Sequence, residues 1–163
     1  MKTALLPGSY DPVTVGHLDL ICRCARKFDR VGVAVVEDAF RKQHTFSAAD
    51  RIMFLEESTR DMHNVSVTIL DGLVVDLARA VGADALVKGL RAVTDFEYEF
   101  QMAQLNKKLD PKLETVYLMA SPVYSFLSSS GVKEIAKFGG CVDDLVPRIV
   151  ARRFAEMYPP AEA

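Results

Sequence analysis

The chain has 163 residues, half of them hydrophobic, which is enough for one well-formed core and short for two. Its 22 acidic residues against 20 Lys and Arg leave a formal net charge of -2. That balance excludes a basic nucleic-acid platform, so any affinity for phosphate has to be local. No apolar run approaches membrane-spanning length, and the N-terminus reaches Pro7 and Gly8 too early for a signal peptide. A cytoplasmic protein with no membrane partner is therefore expected. Cys22, Cys24 and Cys141 form neither an even disulfide set nor a zinc spacing. They read as reduced packing residues, with Cys22 on an apolar helix stripe.

In chain order, Ala4 to Leu6 reads as a short buried strand. The turn Pro7-Gly8-Ser9-Tyr10-Asp11-Pro12-Val13-Thr14-Val15-Gly16-His17 follows it, and Leu18, Ile21, Cys22, Ala25 and Phe28 then recur at the spacing of one helical face. Val31 to Val36 is a continuous small apolar run, as in a strand covered on both faces. A polar loop from Glu37 to Thr45 leads to Ser47 and Asp50, a capping arrangement for a helix that carries Ile52, Leu55 and Glu56 to about His63. Val65 to Leu70 is a third strand. Leu73 to Val81 forms a helix, apolar on most sides and expected to be buried, with Gly82 as its C-terminal cap. Ala85 to Val87 is a fourth strand that delivers Lys88-Gly89-Leu90-Arg91 at its end. The segment from about Asp95 to Lys108 predicts a helix with acids early and lysines late. One of its stripes, Phe96, Phe100 and Ala103, can face the core, while Tyr98, Met102, Leu105 and Leu109 then need a ligand, a loop or a second subunit. Thr115 to Met119 is a fifth strand, and Ser128 to Ser130 can cap a helix bearing Val132, Ile135 and Ala136. The pattern is that of an α/β protein: a single Rossmann-like domain over residues 1–158, with a five-stranded, mostly parallel sheet and helices on both faces. Residues 159–163 read as a flexible tail.

Alone, the first turn fits an ordinary strand-helix connection with a structural histidine better than it fits an anion site. What changes the balance is convergence. Ser9 and His17 follow the first strand, Lys42 the second, Lys88 and Arg91 the fourth, and Ser128 to Ser130 the fifth, all at one sheet edge, where open α/β sheets bind ligands. Two cations flanking Gly89 would repel each other unless an anion joined them. No Gly-x-Ser-x-Gly elbow, Walker pattern or Gly-x-Gly-x-x-Gly occurs at these turns, so covalent catalysis, P-loop kinases and dehydrogenases are disfavoured. Transfer involving a polyphosphate, by positioning and charge neutralisation, is the chemistry that fits.

The first turn, the segment Lys88-Gly89-Leu90-Arg91-Ala92-Val93-Thr94-Asp95-Phe96-Glu97-Tyr98-Glu99 and the segment Ser125-Phe126-Leu127-Ser128-Ser129-Ser130 closely resemble the bacterial phosphopantetheine adenylyltransferase family of nucleotidylyltransferases. The resemblance implies adenylyl transfer from ATP to 4'-phosphopantetheine, giving dephospho-coenzyme A and pyrophosphate. It further implies direct in-line displacement, with Mg2+ held mainly by the ATP phosphates rather than by a carboxylate cage. His17 would stabilise the transition state, with Lys42 and Arg91 beside it. Ser9, Tyr10, His17, Gly89, Leu90, Arg91, Glu99 and the stretch Tyr124, Ser125, Phe126, Leu127, Ser128, Ser129 and Ser130 match ATP-binding positions. Ser9, Lys42, Val74 and Lys88 match those for the acceptor. A homohexamer and feedback binding of coenzyme A are also implied. Three positions depart from the commonest family pattern. Tyr10 adds a hydroxyl that needs a partner if buried, Lys88 stands where Arg is common, and Gly131 stands where Leu is expected, at the cost of a glycine near a helix start. At a helix N-terminus His17 is disfavoured as imidazolium, whereas a bound triphosphate favours that form, which leaves its protonation state open.

Overall fold

A computed structural model describes residues 2–37 and 44–159. Its strands are β1 (Thr3–Gly8), β2 (Arg30–Val36), β3 (Val65–Leu70), β4 (Ala85–Leu90) and β5 (Glu114–Met119). Its helices are α1 (Val15–Ala25), α2 (Ala48–Thr59), α3 (Val74–Val81), α4 (Val93–Leu109), α5 (Ser129–Lys137) and α6 (Arg148–Met157), with a 3-10 turn at Pro122–Tyr124. The strands form one sheet in the order β3-β2-β1-β4-β5, and every neighbouring pair is parallel.

Strand periodicity divides the core. Ala4 and Leu6 of β1 and Val31, Val33 and Val35 of β2 face the larger cluster, where they meet Ile21 and Cys24 of α1, Phe54 and Leu55 of α2, Val132 of α5 and Phe154 of α6. Leu5 and Ala34 point the other way, with Leu86, into a smaller cluster closed by Val75 and Ala78 of α3. A period of two on strands covered by helices on both faces produces this split.

Several elements differ from the sequence expectation. The core cysteine of α1 is Cys24, while Cys22 is half-buried, because Ile21, Cys24 and Ala25 share the inward face. The helix also stops before Phe28, where the Asn64 side-chain amide donates to the carbonyls of both Ala25 and Phe28. α2 ends at Thr59 rather than near His63. α3 buries only Val75 and Ala78, and Leu73 and Val81 are exposed, so it is a covering helix rather than a buried one. Gly82 does cap it, at φ 64. β4 continues to Leu90, paired with Met119 of β5, so Lys88 and Gly89 lie within the strand and Arg91 is the first residue beyond it. α4 buries no residue: Phe96 and Phe100, expected in the core, are exposed together with Tyr98, Leu105 and Leu109. α6 went unpredicted, although Val146, Val150 and Phe154 recur every four residues across the Pro147 cap. Of the expected tail, residues 160–163 lie outside the described residues.

Candidate active site

The sheet order reverses between β1 and β4, and there the two strands separate. Their pairing covers only Ala4 with Ala85 and Leu5 with Leu86, whereas β1 stays paired with β2 through Gly8. Pro7, which has no N–H to give, lies in the part of β1 that leaves β4. A cleft of about 800 Å³ opens at this point, at the carboxyl ends of the strands.

The structure brings Ser9, Tyr10, His17, Lys88, Gly89, Arg91, Glu99, Tyr124, Leu127, Ser128, Ser129 and Ser130 to the walls of that cleft. Leu90 is buried beside it, and Ser125 and Phe126 are exposed on the adjoining turn without lining it. Val74 packs against the smaller core cluster and is not among the lining residues. Lys42 lies outside the described residues.

His17 is the third residue of α1 and completes a capping box with Thr14. The backbone N–H of Thr14 donates to His17 Nδ1 at 3.0 Å, and the His17 N–H donates to Thr14 Oγ1 at 3.3 Å. A nitrogen that accepts from a backbone N–H carries no proton, so the neutral ring holds its proton on Nε2. Burial, followed by the positive charge of Arg91, lowers the His17 pKa from 6.5 to about 4. The imidazole is therefore a fixed neutral donor at pH 7, which resolves for the unliganded protein the question left open above. Between pH 6.5 and 4 the unfolded chain binds a proton that the native ring refuses, so His17 makes stability fall as pH drops through that window and has no effect above it. An NMR titration is expected to place the His17 inflection well below that of an ordinary histidine. An inflection near 6.5 would mean that burial and Arg91 do not hold the ring neutral.

Tyr10 supplies one wall. It sits in the left-handed region at φ 48, its ring meets the His17 ring edge-on at 5.1 Å between centroids, and its hydroxyl donates to the Leu6 carbonyl at 3.0 Å. The extra hydroxyl thus has its partner, and burial pushes the phenol well above its ordinary value. Tyr10→Phe is expected to cost about 1 kcal/mol in urea unfolding with little change in turnover, because that hydroxyl serves the backbone rather than the cleft.

The helix starts offer fewer free donors than the turn sequence promised. The Val15 N–H of α1 is taken by the Leu145 carbonyl and that of His17 by Thr14, which leaves Gly16 without an acceptor among the described residues. At α5, Ser128 Oγ accepts from the Gly131 N–H at 3.1 Å, and the Ser129 hydroxyl donates to the Pro12 carbonyl at 2.8 Å, tying α5 to the first loop. The backbone N–H groups of Ser129 and Ser130 have no acceptor among the described residues and are the more open pair of donors, of the kind that suits an anion. Gly131 has a steric use: a Cβ there would come within 3.1 Å of the capping Ser128 hydroxyl. Ser128→Ala is expected to cost about 1 kcal/mol through loss of that cap, read by thermal unfolding.

The two cations flanking Gly89 do not need an external anion to coexist, contrary to the sequence argument. Lys88 Nζ lies 3.3 Å from Glu99 Oε2, and Arg91 binds Asp95 through its backbone N–H, Nε and Nη2 while Nη1 donates to the Leu127 carbonyl at 3.0 Å. Partial burial opposes ionisation of Asp95, but the Arg91 contacts outweigh it and hold the carboxyl below its usual range. Both carboxylates come from α4, so this helix balances the charge at the end of β4.

Two buried charges that the sequence reading passed over hold the walls together. Asp11 accepts from the Phe46 N–H on Oδ1, and from the Thr45 N–H and Lys133 Nζ on Oδ2, at 2.9 to 3.0 Å. Burial works against the charged form, yet these three donors outweigh it and lower the Asp11 pKa. Arg51, 1% exposed, donates to the carbonyls of Ser9, Val36 and Phe46. An arginine four residues after the Ser47 cap looks like solvated helix surface, and only the fold turns it inward.

A parallel sheet with its cleft at the switch point, a neutral histidine donor at one helix start and open N–H groups at another defines a nucleotide-handling protein. In agreement, residues 5–135 match the cytidylyltransferase-like family model, which places the chain among the nucleotidyltransferases. A crystal structure assigned as a nicotinate-nucleotide adenylyltransferase of Vibrio parahaemolyticus superposes with a TM-score of 0.70 over 96% of this chain and 93% of that one; at 15% identity it shows the fold alone. Phosphopantetheine adenylyltransferases of Caldanaerobacter subterraneus subsp. tengcongensis and Rubrobacter xylanophilus are 54% and 52% identical, each over 97% of this chain and over 98% and 96% of their own lengths. That of Desulforudis audaxviator is 52% identical over 93% of each chain. The chain belongs to the phosphopantetheine adenylyltransferase family.

Proposed function

We propose that the protein transfers the adenylyl group of ATP to 4'-phosphopantetheine, giving dephospho-coenzyme A and pyrophosphate by direct in-line displacement. The observation that carries the mechanism is the His17 ring, fixed through Nδ1 by the capping box so that Nε2–H is the proton left to donate. In this reading the acceptor's phosphate oxygen attacks the α-phosphorus and pyrophosphate leaves from the opposite side. The Nε2–H bond strengthens as charge gathers on the nonbridging oxygens. Arg91 and the open N–H groups of Ser129 and Ser130 bind the triphosphate. Ser9, Tyr10, Gly89, Leu90, Glu99 and the turn from Tyr124 to Leu127 serve ATP, while Ser9, Lys42, Val74 and Lys88 serve the acceptor.

Among the described residues no group of three or more His, Cys, Asp or Glu could hold a metal, and the cleft carboxylates Asp19, Asp95 and Glu99 are each paired with a cation. That donor set fits Mg2+ arriving on the triphosphate with its own waters, where it supplies charge neutralisation. No helix of the described residues is long and apolar enough to cross a membrane, and a cytoplasmic enzyme is part of the reading. Feedback binding of coenzyme A in the same cleft is part of the reading.

The exposed apolar residues of α4 support a homohexamer. Sedimentation is expected to give the mass of six 18.0 kDa chains, and a monomer at micromolar concentration would leave α4 without its proposed cover. The enzymatic test is pyrophosphate release from ATP and Mg2+ with 4'-phosphopantetheine as acceptor, compared with nicotinamide mononucleotide. Release with the second acceptor alone would overturn the substrate assignment, and binding without release would leave a nucleotide sensor.

A further inference from the structure

We propose that His44 is a phosphate-contacting residue of the cleft, an inference that rests on the adenylyl-transfer reading above. His44 borders the cleft on the side of Ser9 and Val36. Its side chain is 13% exposed, and among the described residues neither ring nitrogen has a hydrogen-bond partner. Buried polar groups are nearly always satisfied, so an imidazole held this way is a poor structural residue. Among the described residues its charged neighbour is Asp11, with Nδ1 3.7 Å from Oδ2, beyond hydrogen-bond reach. Asp11 cannot readily serve it either. Oδ2 already accepts from the Thr45 N–H at 2.9 Å and from Lys133 Nζ at 3.0 Å, and Oδ1 accepts from Phe46.

The position is also a fixed one. The backbone immediately after His44 is pinned to Asp11 through Thr45 and Phe46, and Arg51 fastens the Ser9 and Val36 carbonyls on either side. The ring is therefore held at the cleft wall with both nitrogens shielded and without a hydrogen-bond partner among the described residues, so a small turn of the ring toward the cleft brings an N–H to a ligand there. Phosphate oxygens are acceptors that carry negative charge, and they supply what the ring lacks. Two sources share this chemistry, the phosphate of the acceptor and the triphosphate of ATP.

The test uses the full chain with His44→Ala and His44→Gln, measuring kcat and KM with each substrate varied in turn, and the Kd of ATP and of 4'-phosphopantetheine by calorimetry. His44→Ala is expected to raise the KM and Kd of one substrate about tenfold, the loss of one hydrogen bond to a charged group, with kcat little changed. His44→Gln, which keeps an N–H donor, is expected to restore part of it. A rise confined to 4'-phosphopantetheine assigns the contact to the acceptor phosphate, and one confined to ATP assigns it to the triphosphate. Unchanged KM and Kd for both, or a loss seen only in kcat or in Tm, would overturn the inference. If the unaltered protein releases no pyrophosphate with 4'-phosphopantetheine, the proposed reaction fails, while the ATP and acceptor Kd values of the variants still decide the role of His44.

Discussion

His17→Ala is expected to lower kcat by on the order of 10²- to 10³-fold while the Kd of ATP stays nearly unchanged. The ring's value lies in a single donor fixed before the reaction starts. Thr14 occupies Nδ1, so Nε2–H needs no reorientation when charge develops on the transferred group. The same substitution also removes the side-chain half of the capping box, which costs about 1 kcal/mol, and structural and chemical losses would be mixed in that variant alone. His17→Gln separates them, since glutamine is a regular capping-box residue at that position. It is expected to recover the unfolding midpoint without recovering kcat. Single-turnover pyrophosphate release and ATP calorimetry on both variants check the split, and near-normal turnover in either would remove His17 from the mechanism.

Arg51→Met is expected to destabilise the protein by about 3 kcal/mol or more, the largest stability effect among the polar residues of the cleft walls. Three carbonyls, those of Ser9, Val36 and Phe46, lose their donor at once, and an unmet buried acceptor costs roughly 1 to 3 kcal/mol. Recovered desolvation of the guanidinium offsets part of this, since burial already lowers the Arg51 pKa. For a chain of this length the loss corresponds to a Tm lower by roughly 10 °C. Arg51→Lys is expected to recover little, because one ammonium cannot span three carbonyls contributed by three segments. Urea unfolding decides the matter: a change below about 1 kcal/mol would mean that water takes over the guanidinium's bonds.

The alternation of strands and helices was legible because both faces of the sheet are covered, which makes Val31 to Val36 and Ala85 to Val87 continuous apolar runs between periodic helices. Ser47, Gly82 and Ser128 act as caps as expected, since capping depends on neighbours in sequence. Where outcomes depend on distant partners, the reading failed. β4 outlasted its apolar run because Lys88 to Leu90 pair with β5, a ladder that no local pattern announces. The aromatic stripe of α4 looked like core but lies over the thinly covered face of the sheet. In the site, the lining residues drawn from the strand ends could be gathered from topology alone. Asp11, Arg51 and Lys133 could not, because each looks like an ordinary loop or helix-surface charge until residues 11, 46, 51 and 133 meet in space.

If the cleft binds phosphates as proposed, the pairing of Lys88 with Glu99 and of Arg91 with Asp95 would give it a selectivity by valence. A ligand reaches either cation only by trading places with a carboxylate from α4, so part of every new contact is spent on a displaced one. A singly charged anion gains little from such an exchange. A polyphosphate, or two phosphorylated substrates side by side, engages both cations together and frees both acids in one event. Discrimination against small singly charged anions would then be set by the helix that supplies the competing acids, and not by the shape of the cleft alone.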